Sequence, residues 1–399
     1  MITYQEALNI ISQHPFPLNT ERVLLNEANG RVLAADVKAD RDLPPYDRVT
    51  MDGIAIKFSA YDSGQREFSI EKTIGAGMPK SALEDETHCV QIMTGAIMPT
   101  GADTVIRYED ISIEEGVATI NEQVFHQQNI HFKGEDKKAG EVALAKGMIL
   151  GASELIVAAA VGLAELEVYK LPKAAIVTTG DELVDISDTP LDHQVRRSSN
   201  YGVQNLLTQW HIEAKQFHLK DDKALMKAEL STILDEFELL VITGGVSRGK
   251  FDYLPEVLDE LGVSKHFHKV KQRPGKPFWF GTANNGTTVF ALPGNPVSSF
   301  VCANAYIRHW LLTSLGQPTD LGYIQLASDV TFLPDLTYFL ECTVASNEQG
   351  RLLAKTFKGN GSGDFANLTQ ADAFIVLPQG KSEFKAGEVY PFIPYRSIF

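Results

Sequence analysis

The sequence predicts a multidomain α/β protein. A mostly parallel α/β sheet forms the substrate domain, joined to a β-rich inserted domain, a small N-terminal mixed domain and a C-terminal β domain. Three observations lead there. From Lys173 onward, short apolar runs alternate with segments of helical period, the rhythm of β-α-β units. From Met51 to about Leu144 only short β-type runs occur, divided by Gly, Asn and Asp. A chain of 399 residues also exceeds what one hydrophobic core organises.

Taken in order, Thr3 and Glu6 have the spacing of a capping box, and Ala7, Leu8 and Ile11 give the helix after them one apolar side. Strand-like pieces follow at 22–25 and 32–35, and Leu43-Pro44-Pro45 breaks regular structure. The insert, 46–144, carries β runs at 68–74, 89–94, 104–108, 117–120 and 129–132. An alanine-rich helix at 151–162 follows, so residues 1–45 and 145–172 are expected to form one small domain that the insert interrupts. Residues 173–317 hold the α/β domain, with strands at 174–179, 212–217 and 239–242 and helices at 200–210 and 223–237. Leu254, Val257, Leu258 and Leu261 predict a further helix capped by Gly262, and Pro296 opens a long one reaching about Leu315. The C-terminal β domain, 318–399, reads as strands at 324–327, 338–344, 352–355 and 374–377.

The formal net charge of −15 argues against a general binder of nucleic acid or anionic membranes, so an anionic ligand needs a local basic pocket. Cys89, Cys302 and Cys342 lack metal-ligand spacing and read as small buried hydrophobes in a reducing compartment. The first residues lack a signal peptide's basic and apolar regions, and the longest apolar run, 155–161, is too short to span a bilayer. A cytoplasmic location is expected. His14, His88 and His309 read as surface or packed residues, and Trp210, Trp279 and Trp310 as core.

In such a sheet ligands lie beyond the carboxyl ends of the strands, so the loops there carry the chemistry. The stretch 238–253 reads as a buried strand, a turn with Gly244, Gly245, Ser247 and Gly249, then a helix. Such a turn lets backbone N–H groups approach an anion, or it only permits a tight bend; both readings stand on this stretch alone. Lys276 sits between Pro274 and Pro277 in Pro-Gly-Lys-Pro, which holds its backbone, and Pro293-Gly-Asn-Pro places Asn295 and Ser298 at a helix start. Basic Arg196, Arg197, Arg248, Lys250, Lys271, Arg273 and Lys276 gather near these ends, as do acidic Asp181, Glu182, Asp221, Asp222 and Asp252. Cations with helix N-termini suit phosphate or an oxyanion, and carboxylates beside phosphate suit Mg²⁺ shared with substrate. For one charged residue alone, a solvated loop is the plain explanation. For every loop along one sheet edge, it is not.

Thr243-Gly-Gly-Val-Ser-x-Gly-x-x-Asp-Tyr, Pro274-Gly-Lys-Pro and Leu292-Pro-Gly-Asn-Pro-Val-Ser, in this order, resemble the molybdopterin molybdenumtransferases, the MoeA and gephyrin E-domain family. Met51-Asp-Gly-Ile-Ala, Met93-Thr-Gly-Ala, Gly134-Glu-Asp and Thr179-Gly-Asp-Glu-Leu extend the resemblance over essentially the whole chain. It implies a homodimer of L-shaped four-domain subunits, a MogA-like α/β domain that binds molybdopterin, and an active site closed by the β insert of the partner. Asp52, Thr94 and Asp136 would then act in trans with Glu182, Asp222, Asp252, Lys276, Pro293, Pro296 and Ser298. The reaction would be insertion of molybdate into adenylylated molybdopterin, with release of AMP and dependence on Mg²⁺. Gly244, Gly245, Ser247 and Gly249 would hold the phosphate and pterin end, joined in substrate binding by Thr179, Gly180, Ser198 and Asn295. Lys276, Arg273 and Ser298 would meet molybdate. Asp52, Glu182 and Asp252 would hold the metal, and Asp136 would help position the attacking oxygen.

Two departures stand out. Arg197 and Ser199 occupy positions where the family often has Asp and Asn, and His131 and Phe132 stand where it often has arginines. Two rival readings share parts of this pattern: a CinA-type hydrolase and a non-catalytic scaffold. The first lacks the Met51-Asp-Gly insert and the Gly134-Glu-Asp loop, and a scaffold need not keep Asp52, Asp136, Glu182 and Lys276.

Overall fold

A computed structural model describes residues 1–246, 253–357 and 365–396. The chain divides into two compact units, one of Met1–Glu21, Gly30–Val32 and Tyr169–Phe399, the other of Arg22–Asn29 and Leu33–Val168.

The first unit is built on a six-stranded sheet. Its strands are β1 (Ala174–Thr179), β2 (Ala214–Leu219), β3 (Leu239–Thr243), β4 (Ser264–His268), β5 (Trp279–Thr282) and β6 (Thr288–Leu292), in the spatial order β2-β1-β3-β6-β5-β4. The run β2-β1-β3-β6 is parallel, and only β5 runs antiparallel to its neighbours. Every residue of β1, β3 and β6 is buried, which explains why these strands read as unbroken apolar runs.

Alternate residues of one strand serve opposite faces. Ala174 and Ile176 pack in a core with α1 (Tyr4–Ser12) and α2 (Ser199–Gln209), through Leu8, Ile11, Val203 and Leu207. Ala175 and Val177 pack in a second core with α3 (Lys223–Glu236) and α4 (Leu254–Glu260), through Leu230, Ile233, Val257 and Leu258. The capping box starts α1 as expected: Thr3 Oγ1 accepts from the Glu6 N–H at 3.2 Å, and Glu6 Oε2 accepts from the Thr3 N–H at 2.7 Å. In its packing, though, α1 belongs with the α/β core, whereas the sequence grouped it with residues 145–172.

The long helix expected from Pro296 is three pieces: α5 (Pro296–Cys302), a π-helical segment (Ala303–Ile307) and α6 (Arg308–Ser314). The C-terminal strands β7 (Gly322–Leu326), β8 (Thr337–Ser346), β9 (Leu352–Thr356), β10 (Ala373–Leu377) and β11 (Val389–Pro394) close in the order β8-β9-β7-β11-β10, with β10 returning to β8. This is a small barrel, in which each of the five strands has a neighbour on both sides. A two-residue strand, Gln272–Arg273, adds to β8 in parallel and ties the loop after β4 to the barrel.

The second unit also centres on a six-stranded sheet, from Thr104–Arg107 through Gly53–Ile56, Cys89–Ile92, Glu67–Ile74 and Val117–Ile120 to Ile111–Glu114. Ala55, Val90 and Val105 pack on one face, Ile54, Cys89 and Ile106 on the other. A third cluster joins Val37, Leu144 and Leu166 to Ala158 of the Ala152–Ala160 helix. Of the piece expected as a strand at 32–35, only isolated bridges form; the regular pairing lies at Val37–Lys38 with Val142–Leu144.

Candidate functional site

Loops at the carboxyl edge of the first unit's sheet enclose a cleft of about 1340 Å³. The loop after β1 contributes Thr179, Gly180 and Glu182; that after β3, Gly244 and Gly245; that after β6, Pro293, Asn295, Pro296 and Ser298. The loop between β4 and β5 brings Arg273 and Lys276, and the segment before α2 brings Arg196, Arg197 and Ser198. Twelve of the nineteen expected site residues thus share one cavity: Thr179, Gly180, Glu182, Ser198, Gly244, Gly245, Arg273, Lys276, Pro293, Asn295, Pro296 and Ser298.

The loops after β1 and β3 approach closely because of one glycine. Gly244 has φ +102°, and a Cβ there would lie 2.9 Å from the carbonyl oxygen of Thr179. Lys276 and Arg273 are exposed, and Lys276 has no carboxylate partner among the described residues. The Arg273 guanidinium stands 6.0 Å from the Phe332 ring centre. Arg197, the departure from the family pattern, donates to Asp185 Oδ2 at 2.5 Å. Its Nε and the Oδ1 of Asn200 are buried and have no partner among the described residues. Both residues line the cleft.

Two expected residues are used differently. Asn295 Oδ1 accepts from the Val297 and Ser298 N–H groups at 3.1 and 3.3 Å. Pro296 has no N–H, so the first turn of α5 is already capped from within and does not offer the open N-terminus the sequence suggested. Asp222 Oδ1 likewise accepts from Ala224 and Leu225 N–H groups, at 2.9 Å each, as the cap of α3, while its neighbour Asp221 lines the cleft. Ser247, Gly249 and Asp252, with Arg248 and Lys250, lie outside the described residues. Asn200, Gln272, Leu336 and Phe365 also line the cleft, and no motif in the sequence marks them.

Asp52, Thr94 and Asp136 belong to the second unit. Asp52 Oδ1 accepts from the Thr94 backbone N–H at 2.6 Å and from its hydroxyl at 2.8 Å. These bonds, the backbone one foremost, hold the Asp52 carboxyl below its ordinary range and keep it ionised. Arg48 donates to His131 Nδ1 at 3.0 Å, so His131 carries its proton on Nε2 and donates to Asp136 Oδ1 at 2.9 Å. The strand Arg48–Val49 pairs with Ile130–His131, and Val49 exchanges backbone hydrogen bonds with Gly95 and Ala96. One short segment therefore carries both the Thr94 loop and the Asp136 loop.

No group of three His, Cys, Asp or Glu side chains is set to hold a metal among the described residues. The cleft does offer the carboxylates of Glu182 and Asp221 beside its cations. That donor set fits an ion such as Mg²⁺, which takes one or two carboxylates and completes its shell with water and substrate oxygens.

The fold and the cleft together define an α/β small-molecule-binding protein with appended β domains. Family models match along the chain: the MoeA N-terminal region (domain I and II) over residues 2–162, a probable molybdopterin binding domain over 175–313, and the MoeA C-terminal region (domain IV) over 323–395. A molybdopterin molybdenumtransferase of Synechocystis sp. is 39% identical over 396 residues, covering 98% of this chain and 99% of that one. Its counterpart in Haemophilus influenzae is 31% identical over 406 residues, covering all of both. The crystal structure of the molybdopterin biosynthesis moeA protein from Pyrococcus horikoshii OT3 matches with a TM-score of 0.82 at 28% identity, covering 99% of this chain and 100% of that one. The chain belongs to the molybdopterin molybdenumtransferase family and is an enzyme of molybdenum cofactor biosynthesis.

Proposed function

We infer that the enzyme inserts molybdate into adenylylated molybdopterin and releases AMP, in a Mg²⁺-dependent step at the cleft of the α/β domain. One observation carries the reading: separate loops of an acidic protein bring Lys276, Arg273, Ser298, Gly244, Gly245 and Glu182 to a single cavity. The loop backbone at Gly180 and Gly245 meets the phosphate and pterin end of the substrate, while the Gly244 N–H is taken up by the Leu292 carbonyl at 3.1 Å and Gly244 serves to bring the two loops together. Lys276, unpaired among the described residues, is a point charge for the molybdate dianion, with Arg273 and the Ser298 hydroxyl beside it. Such fixed charge, aimed where negative charge develops, is the main lever in phosphoryl chemistry. Glu182 and Asp221 would hold Mg²⁺, whose charge neutralises the phosphoanhydride when bound.

The reading includes a homodimer whose site is shared: the partner subunit's Asp52, Thr94 and Asp136 close the cleft. An ionised, exposed Asp52 held by Thr94 suits a metal or an attacking oxygen. A cytoplasmic location fits, and no helix among the described residues is long and apolar enough to cross a membrane.

The test is an assay of AMP release from adenylylated molybdopterin with purified enzyme. AMP is expected only when molybdate and Mg²⁺ are both present. Lys276→Ala and Asp52→Ala are expected to lower the rate by about 100-fold or more while each variant stays folded and dimeric. AMP release that ignores molybdate, or wild-type rates from either variant, would refute the assignment.

A further inference from the structure

The loop that carries Lys276 is held from within by a residue that has no role in the chemistry derived above. Gln272 is 1% exposed, and its amide sits inside the loop that carries Arg273 and Lys276. Its Nε2 donates to the carbonyl of Pro274 at 3.0 Å and to that of Gly275 at 3.3 Å, and it lies 3.5 Å from Cys302 Sγ. Its Oε1 accepts from the Tyr306 hydroxyl. Carbonyls only accept and a protonated phenol donates, so these partners fix which way the amide faces. Burial keeps the Tyr306 phenol protonated.

The loop closes tightly around this amide. The Lys276 carbonyl accepts from the Val270 and Phe278 N–H groups at 3.0 Å each, and the Gln272 N–H donates to Val270 at 2.9 Å. A Cβ on Gly275 (φ +88°) would come within 2.6 Å of Gln272 Nε2 and 2.7 Å of Cys302 Sγ, so glycine is what lets the chain pass so near. Tyr306 lies in the π-helical segment after α5, stacked on Phe278 with ring centres 4.4 Å apart. The widened turn thus presents to the cation loop a hydroxyl anchored in the core.

We propose that Gln272, oriented by Tyr306, is a positioning residue that sets the place of the Lys276 ammonium and so the enzyme's affinity for the tetrahedral oxyanion. This rests on the reading that Lys276 meets molybdate. Gln272→Met keeps the bulk and removes the donors to both loop carbonyls. Gln272→Glu keeps an acceptor for Tyr306 but sets a carboxylate against those carbonyls.

The experiment measures AMP release against molybdate and, separately, against adenylylated molybdopterin, for wild type, Gln272→Met, Gln272→Glu and Lys276→Met. Half-saturating molybdate is expected to rise about tenfold in both Gln272 variants, with half-saturating pterin substrate within about twofold of wild type. General loosening of the fold would lower the active fraction and leave the molybdate dependence unchanged. An unchanged molybdate dependence, or equal shifts for both substrates, overturns the proposal. Should the Gln272 variants fail to fold, Tyr306→Phe, which removes only the orienting hydroxyl, decides by the same criterion with about a threefold shift expected. If Lys276→Met alone behaves as wild type, the reading of the site fails, and the route through Lys276 with it. If Lys276→Met is impaired and the Gln272 variants are not, only the positioning role fails.

Discussion

Asp52 and Thr94 are the residue pair with the clearest pH consequence. The carboxyl is held below its ordinary range by the Thr94 backbone N–H first and the hydroxyl second. With a depressed folded-state pKa, the interaction is fully present above the ordinary carboxylate value and is lost as pH falls through the lowered one. Thr94→Val keeps the backbone donor and removes the hydroxyl, so the Asp52 pKa is expected to rise and the acid limb of the activity profile to begin at a higher pH. Carboxyl NMR titration of both proteins checks the first, and pH–rate curves the second; coincident curves would contradict it. Residues such as Lys276 and Asp52 were legible in the sequence because short motifs with Gly and Pro mark loops that hold a charge in place. Gln272 and Asn200 were not, because their meaning lies in partners such as Tyr306 and Gln216 that only the fold brings near.

At the scale of elements, the site depends on how firmly the sheet edge is backed. Trp310 of α6 is fully buried, donates its indole N–H to the His14 carbonyl at 2.9 Å, and packs edge-on to Phe290 of β6. β6 leads straight into the loop carrying Asn295 and Ser298. Trp310→Ala is expected to cost about 3–5 kcal/mol in denaturant unfolding, through lost transfer energy and the cavity left behind. A loss below 1 kcal/mol would mean the α6 face contributes little to holding β6. The β-α-β alternation made β1 to β3 and their helices readable. The antiparallel pair β4–β5 departs from that alternation, and β11 is disguised by Pro391 and Pro394, which strands seldom contain. The π-helical segment interrupts a helix whose sequence pattern is continuous, so its Tyr306 contact could not be foreseen.

For the whole molecule, motif order along the chain pointed to the family, but which pieces pack together did not follow from order. α1 carries a legible capping box, yet its apolar side is completed by residues some three hundred positions away, such as Trp310 and Leu311. In the proposed active site, carboxylates of a second subunit complete a cationic cleft on the first. Mixed dimers test this most directly: Lys276→Ala and Asp52→Ala proteins, each nearly inactive alone, are reassorted in equal amounts and assayed for molybdate-dependent AMP release. A shared site predicts recovery to about a quarter of wild-type activity, because half the dimers are mixed and each then holds one intact site. No recovery, with mixed dimers verified by mass, would mean that the two subunits do not share a site.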